Sequence, residues 1–346
     1  MKNQSFLPSL QVFRAIAALM VVFHHLWHEI SFFYHLHSSV ADQLAAAGKN
    51  GVDFFFVLSG FIICYSNFIK AGVWSASGEY LKNRILRIYL PYLPISFLML
   101  LSYRLFPGFS DATRNVSLVK SVFLLPVPGV TALAVAWTLV HEMFFYLVFI
   151  TSFLSKRLFY FILLLWALMI GVASIYGLNM GTYFVTFVLS PYNLEFILGV
   201  STAILAKSLL PIHRKWVITG FLAAILVLYF TPTILENKLL MGCLFAMLIL
   251  LAINSPLNRI SAGNIFMVLG NASYSIYLIH DPEISVFMRV FPKYGNVLYV
   301  VIIASFIFAV SCFSGIIYSR IFEQILLRKA KDLFKRKVAP NNNLAM

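Results

Sequence analysis

Residues 13–25 read FRAIAALMVVFHH, and this stretch decides both the class of the protein and where its chemistry lies. Between its ends it is apolar enough to dissolve in lipid, yet Arg14 stands at its start and His25 closes it. A charge at the bilayer centre costs roughly 2.5–3.5 kcal/mol on insertion scales, so polar groups kept in such a segment need a reason. At about 100° per residue the spacing from position 14 to 25 is three turns and a little more. Both side chains therefore share one helix face, separated by roughly 16 Å of rise.

The rest of the chain has the same character. It is 61% hydrophobic and 11% charged, with a mean hydropathy of +0.89, outside the range of a globular domain in water. The expected fold is all-α: a polytopic integral membrane protein with about ten transmembrane helices. A span needs about 20 mostly apolar residues. The candidates are 10–29, 50–69, 87–106, 134–154, 157–176, 182–206, 215–231, 238–254, 264–281 and 296–319. The seventh and eighth are short, and 116–127, interrupted by Lys120 and closed by the prolines at 126 and 128, reads as interfacial, so nine or eleven spans fit the same pattern.

An even number of spans puts both termini on one side. Assigning that side to the cytoplasm places 19 of the 26 Lys and Arg inside, as the positive-inside rule asks. Topology and attraction to anionic lipid then account for much of the +14 net charge, including the basic run RKAKDLFKRK, and nucleic acid is not an expected partner. The domain division that follows is a membrane domain over 1–327 and a basic cytoplasmic tail over 328–346. Arg14 interrupts the apolar region a signal peptide would need, so the first segment is expected to be retained. Cys64, Cys243 and Cys312 lie far apart in apolar runs and read as packing residues. The histidines at 24, 25, 28, 35 and 37 show no ligand spacing, and no metal is expected.

Other polar groups fall at telling depths. Segment two opens GVDFFFVLSGF, with Asp53 at its outer end and Ser59 next to Gly60 deeper in. Segment four contains WTLVHEMFFY, which sets Glu142 about two turns below the outer face, where a carboxylate among Met and Phe must be paired, hydrogen-bonded or protonated. Segment nine, NASYSIYLIH, delivers His280 at its outer end, so His25, Glu142 and His280 are expected to converge on one depth. RILR puts Arg84 and Arg87 on one face at the inner mouth of segment three. Plainer readings exist for each: the arginines also fit the basic excess of inner loops, and Asp53 also fits a helix cap. Cations at one end and acid/base groups at the other suit transfer of a group between substrates from opposite sides, because Arg pairs bind phosphates and His beside a carboxylate takes a proton from a hydroxyl. A carrier or flippase of a lipid-linked glycan or anion is the alternative from another class.

Arg14 with His25, GVDFFFVLSGF, RILR, WTLVHEMFFY and SYSIYLIH, in this order, together resemble the integral membrane acyltransferase 3 family, whose bacterial members O-acetylate surface polysaccharides and related glycans. The resemblance implies an O-acetyltransferase of the bacterial inner membrane with an acyl-CoA donor, usually acetyl-CoA, arriving from the cytoplasm as a substrate and not as a tightly bound cofactor. It implies an acceptor hydroxyl on a glycan or lipid-linked saccharide at the outer side, with membrane lipids as the remaining partners. By position, His25 resembles the family's essential histidine, Arg14 its partner, and Arg84 and Arg87 its Arg-x-x-Arg pair for the CoA phosphates. Glu142 falls in a Trp-x-x-x-x-Glu pattern with Trp137, and NLEFILG around Glu195 resembles another recurrent stretch. Asp53, Ser59, Tyr277 and His280 match motifs to which the resemblance gives no clear role. No attached hydrolase-like domain is expected, and the chain resembles a stand-alone member.

Overall fold

The computed structural model describes residues 7–106, 115–177, 181–208, 218–223, 237–253, 255–293 and 296–338. Helix α1 spans Pro8–Tyr34; Pro8 suits its first turn, where a missing N–H has no partner to lose, and His35 ends it in the left-handed region at φ 53°. A short amphipathic helix α2, Ser39–Gly48, leads into α3, Gly51–Asn67, and then α4, Ser77–Leu105. After α5, Leu118–Phe123, come α6, Trp137–Leu154, and α7, Lys156–Tyr176. Helices α8, Tyr183–Val188, and α9, Tyr192–Ser208, are followed by α10, Lys238–Ile253, α11, Ile265–Val290, and α12, Val297–Tyr318. A π-helical stretch, Ser319–Leu326, carries α12 on into α13, Leu327–Val338, so helix runs through the 327/328 boundary.

Seven helical stretches among the described residues are long and apolar enough to cross a membrane. They correspond to the first six expected spans and the tenth. The eighth is present as α10 but has only 16 residues, and α11 is 26 residues long but carries Asp281, Glu283 and Arg289 in its second half. Most of the seventh, 215–231, lies outside the described residues. Three boundaries move for physical reasons. Helix α4 begins ten residues before the expected apolar span, so Arg84 and Arg87 are helical. Helix α11 runs on through Pro282, past the expected end at 281. The sixth span is two helices, broken at Pro191, where the Asn193 amide donates to the carbonyls of Phe187 (2.9 Å) and Val188 (3.0 Å) that the break leaves open.

The apolar interior is organised as two clusters. The larger gathers α3, α4, α6, α7 and α9 around Phe61, Phe145, Phe149 and Phe196 and takes in Val21 of α1, Ile249 of α10 and Leu278 of α11; the smaller joins the other faces of α1 and α11 to α12 through Val22, Ile276, Met288 and Ile307. Helix α1 lies along α11, and α3 along α9. The α3–α9 contact is backbone to backbone: a Cβ on Gly60 would sit 2.2 Å from the Phe196 carbonyl oxygen, and one on Gly199 2.0 Å from that of Val57. Small residues permit this approach, which in lipid substitutes van der Waals contact for the hydrophobic drive that lipid does not provide. Helix α10 is tied to the same pair through charge. Lys238 Nζ donates to Asp53 Oδ1 at 2.6 Å, with Asp53 only 1% exposed and the Tyr192 ring centre 4.6 Å from the ammonium.

Two stability measurements follow. Gly60→Val or Gly199→Val lowers the stability of the detergent-solubilised protein by about 1–3 kcal/mol or more, read as a fall in thermal midpoint. Gly171→Ala, with nothing within 4 Å of the added carbon, leaves it level or raises it. Lys238→Met strands a buried carboxylate and costs about 3 kcal/mol, whereas Lys238→Met combined with Asp53→Leu recovers at least half of that loss. An equal loss in single and double variants would show that the two charges are not coupled.

Candidate active site

The polar side chains of α1 open into a gap whose apolar walls belong to the larger cluster, and that gap holds two adjoining cavities. The first, of about 90 Å³, is lined by Arg14 from α1, Arg84 and Arg87 from α4, Ser59 from α3, and Glu142 and Tyr146 from α6. The second, of about 300 Å³, is lined by His24 and His25 from α1, Asp53 from α3, Trp137 from α6, Tyr192 from α9 and Lys238 from α10. Val52 and Tyr277 belong to the walls of both. Arg14 and His25 thus line adjoining cavities with two wall residues in common, each in its own compartment.

Helical periodicity assembles the first cavity. Arg84 and Arg87, three residues apart, share a face of α4 and meet Arg14 across the gap. The Arg84 guanidinium carbon lies 5.8 Å from the Tyr80 ring centre and 5.7 Å from that of Tyr146, which fixes a flat cation between aromatic faces. Arg14 Nη1 donates to Gln11 Oε1 at 3.3 Å one turn earlier and is within electrostatic reach of Arg87, Glu142 and Glu323. Glu142 Oε1 accepts from Ser59 Oγ at 2.9 Å and from the Tyr146 hydroxyl, one turn along α6. Three guanidinium groups on one carboxylate-bearing wall leave cationic capacity for an anionic ligand, and planar guanidinium forks match phosphate oxygens.

The expected meeting of His25, Glu142 and His280 is only partly realised. The His25 and His280 rings are in edge contact, 5.1 Å between centres, but Glu142 lines the arginine cavity and not the histidine one. The reason is rise along α6. Trp137, at its first residue, faces the histidine cavity, and Glu142, five residues on, lies roughly 7.5 Å further along the axis. The carboxylate beside His25 is Asp281, with Oδ1 3.7 Å from Nδ1. His24 is held off by its own bond from Nδ1 to the Ala45 carbonyl at 2.8 Å, and His280 is fully buried, its Nδ1 donating to the Ile276 carbonyl at 3.2 Å.

Asp53 does not cap α3: no side chain caps that helix, and the carboxylate is taken by Lys238 instead. Glu195, 0% exposed, lies within electrostatic reach of the same pair, and neither of its carboxyl oxygens has a hydrogen-bond partner among the described residues. Trp137 and Tyr192 pack ring to ring at 4.9 Å and give the second cavity an aromatic wall. Asp281, Lys238 and Tyr146 are the members that sequence reading did not single out. Asp281 follows His280 directly, Tyr146 stands one turn from Glu142, and Lys238 is a lone cation before an apolar run, a pattern shared with ordinary topology signals.

The arrangement suits chemistry in which an anionic group is held at one end of the gap while a hydroxyl or other nucleophile is activated by imidazole at the other. No curated protein and no solved structure matches the chain. The family model described as an acyltransferase domain matches residues 7–318, nearly the whole length, and the chain belongs to this acyltransferase 3 family and is a multi-pass membrane acyltransferase.

Proposed function

We propose that the protein moves an acetyl group from cytoplasmic acetyl-CoA to a hydroxyl of a surface polysaccharide or lipid-linked glycan at the outer side of a bacterial inner membrane. The observation that carries this reading is the pair of adjoining cavities, one cationic and one holding His25, along a single helix face. The CoA phosphates bind at Arg84, Arg87 and Arg14. The pantetheine arm then runs along α1 over a distance comparable with the roughly 16 Å of rise from Arg14 to His25. The phosphates stay where the guanidinium groups are fixed, and the thioester arrives where the imidazole is.

At that point His25 acts as the base. Asp281 on the Nδ1 side leaves Nε2 as the nitrogen that takes the proton from the acceptor hydroxyl. The hydroxyl oxygen bonds to the thioester carbon, the carbon–sulfur bond breaks, and the CoA thiolate recovers the proton, so the products are an ester and CoA. An acyl-His25 intermediate uses the same atoms in two steps, with Nε2 as the first nucleophile. Glu142 holds the arginine array in register by drawing Ser59 and Tyr146 onto one oxygen, and the aromatic wall of Trp137 and Tyr192 offers the acceptor sugar a stacking face.

The test uses protein in liposomes with acetyl-labelled acetyl-CoA and crude envelope glycan, following CoA release, glycan-bound label and protein-bound label. His25→Ala lowers turnover by about 10²–10⁴-fold. Arg84→Ala or Arg87→Ala instead raises KM for acetyl-CoA by about ten- to a hundredfold, the loss of a charge-assisted hydrogen bond worth roughly 1.5–3 kcal/mol. Protein-bound label that chases into glycan identifies the two-step route. Absence of CoA release from the wild type would overturn acetyl-CoA as the donor, and turnover surviving in His25→Ala would overturn the role of the imidazole.

A further inference from the structure

Helix α12 does not finish as an α-helix. From Ser319 to Leu326 it continues as π-helix, whose wider turn rotates the later side chains away from the bearings an α-helix would give them, and such segments are rare and recur at functional sites. The stretch is fastened at its start: the Tyr318 hydroxyl donates to the Pro91 carbonyl of α4 at 2.7 Å, and Ser319 Oγ donates to the Asn271 carbonyl of α11 at 3.5 Å. From it Glu323 reaches α11, where its Oε1 accepts from Ser275 Oγ at 2.5 Å. Ser275 is fully buried, and its neighbours Ser273 and Tyr274 line the arginine cavity. Glu323 lies beyond residues 7–318, the stretch that the family model matches.

The depth of this carboxylate follows from the packing of α1 on α11. An added Cβ on Gly270 would stand 2.0 Å from the Gln11 carbonyl oxygen, and the His25 ring touches that of His280, so the two helices run in the same direction. From the contact at Gln11 and Gly270, Arg14 lies roughly 4.5 Å along α1 and Ser275 roughly 7.5 Å along α11. Glu323 is thus anchored close to the depth of Arg14, and its field at the guanidinium exceeds that of Glu142.

We propose that Glu323 is a positioning residue that competes with the donor's phosphates for Arg14 and so keeps the arginine cavity from holding CoA too tightly. This rests on the donor reading given above. Glu323 is not among the residues that line the cavity, so a ligand does not displace it, and its bond to Ser275 holds it in place. A fixed carboxylate attracts the Arg14 guanidinium and repels a phosphate brought to that same guanidinium. Both effects weaken phosphate binding, and the low dielectric of a packed interior lengthens their reach. Acetyl-CoA and CoA carry the same phosphates, so the weakening acts equally on the donor as it arrives and on the product as it leaves. Product release is faster, and the donor concentration needed for turnover is higher.

The experiment measures the Kd of labelled CoA on full-length protein in detergent, beside KM for acetyl-CoA in liposomes with crude envelope glycan. Glu323→Gln keeps the size of the side chain and an oxygen for the Ser275 hydroxyl while removing the charge. It lowers KM for acetyl-CoA about three- to tenfold and lowers the Kd of CoA by the same factor. A residue that merely held the fold would give the opposite sign, with both constants raised. In an Arg14→Gln background the same substitution leaves the Kd of CoA within about twofold, because the guanidinium for which carboxylate and phosphate compete is gone. If Glu323→Gln does not fold, Glu323→Ala takes its place. Constants raised or unmoved by the loss of the carboxylate, or a fall in Kd that persists without Arg14, overturn the assignment and leave the acetyl-CoA reading intact. A wild type that neither binds CoA nor releases it from acetyl-CoA removes the donor reading itself, and the assignment with it.

Discussion

Charge does not enter hydrocarbon unaccompanied, and the placement of the polar groups in this protein follows from that constraint. Arg84 is laid between two tyrosine rings, Arg14 is braced by Gln11 and faced by acidic groups, and Glu142 receives two hydroxyls on one oxygen. Lys238 and Asp53 satisfy each other across two helices. Each of these arrangements needs side chains from different elements at one depth. Helix ends, breaks and crossings are set so that they meet. The same groups that stabilise one another in the resting protein are those able to recognise an anion or move a proton.

Packing supplies the precision. Where α3 and α9 touch through Gly60 and Gly199, their backbones are as near as two helices come, and that contact sets the positions of Asp53 and Ser59 on one helix and of Tyr192 and Glu195 on the other. The register of the two helices is thereby passed from apolar contacts to polar ones. Pro191 contributes in the opposite manner, by ending one helix and letting the next begin with Tyr192 beside Trp137.

Much of this was legible in the residues, and the part that was not has a definite cause. Arg14 and His25 on one face, and Arg84 with Arg87 on another, are consequences of helical periodicity within a single segment, which is local information. The partner of His25 was not legible, because which carboxylate stands opposite depends on how far each helix slides along its neighbour; Glu142 and Asp281 were equally available until α6 and α11 were placed. Asp281 was further concealed by Pro282, which reads as an end of helix but lies inside one. Lys238 looked like any basic residue at a segment boundary, and only the fold shows that it is carried inward onto Asp53.

The larger apolar cluster reaches across both cavities. Ala17 and Val21 on α1 and Tyr277, Leu278 and Ile279 on α11 pack into it together with Phe145 and Phe196, and most of the apolar walls of the two cavities are its members. The helix that carries Arg14 and the helices that carry Arg84, Ser59 and Glu142 are thus gripped by one continuous packed body. Such a body answers a change of volume at one wall by strain at the others, so the two cavities share a mechanical fate although each has its own chemistry.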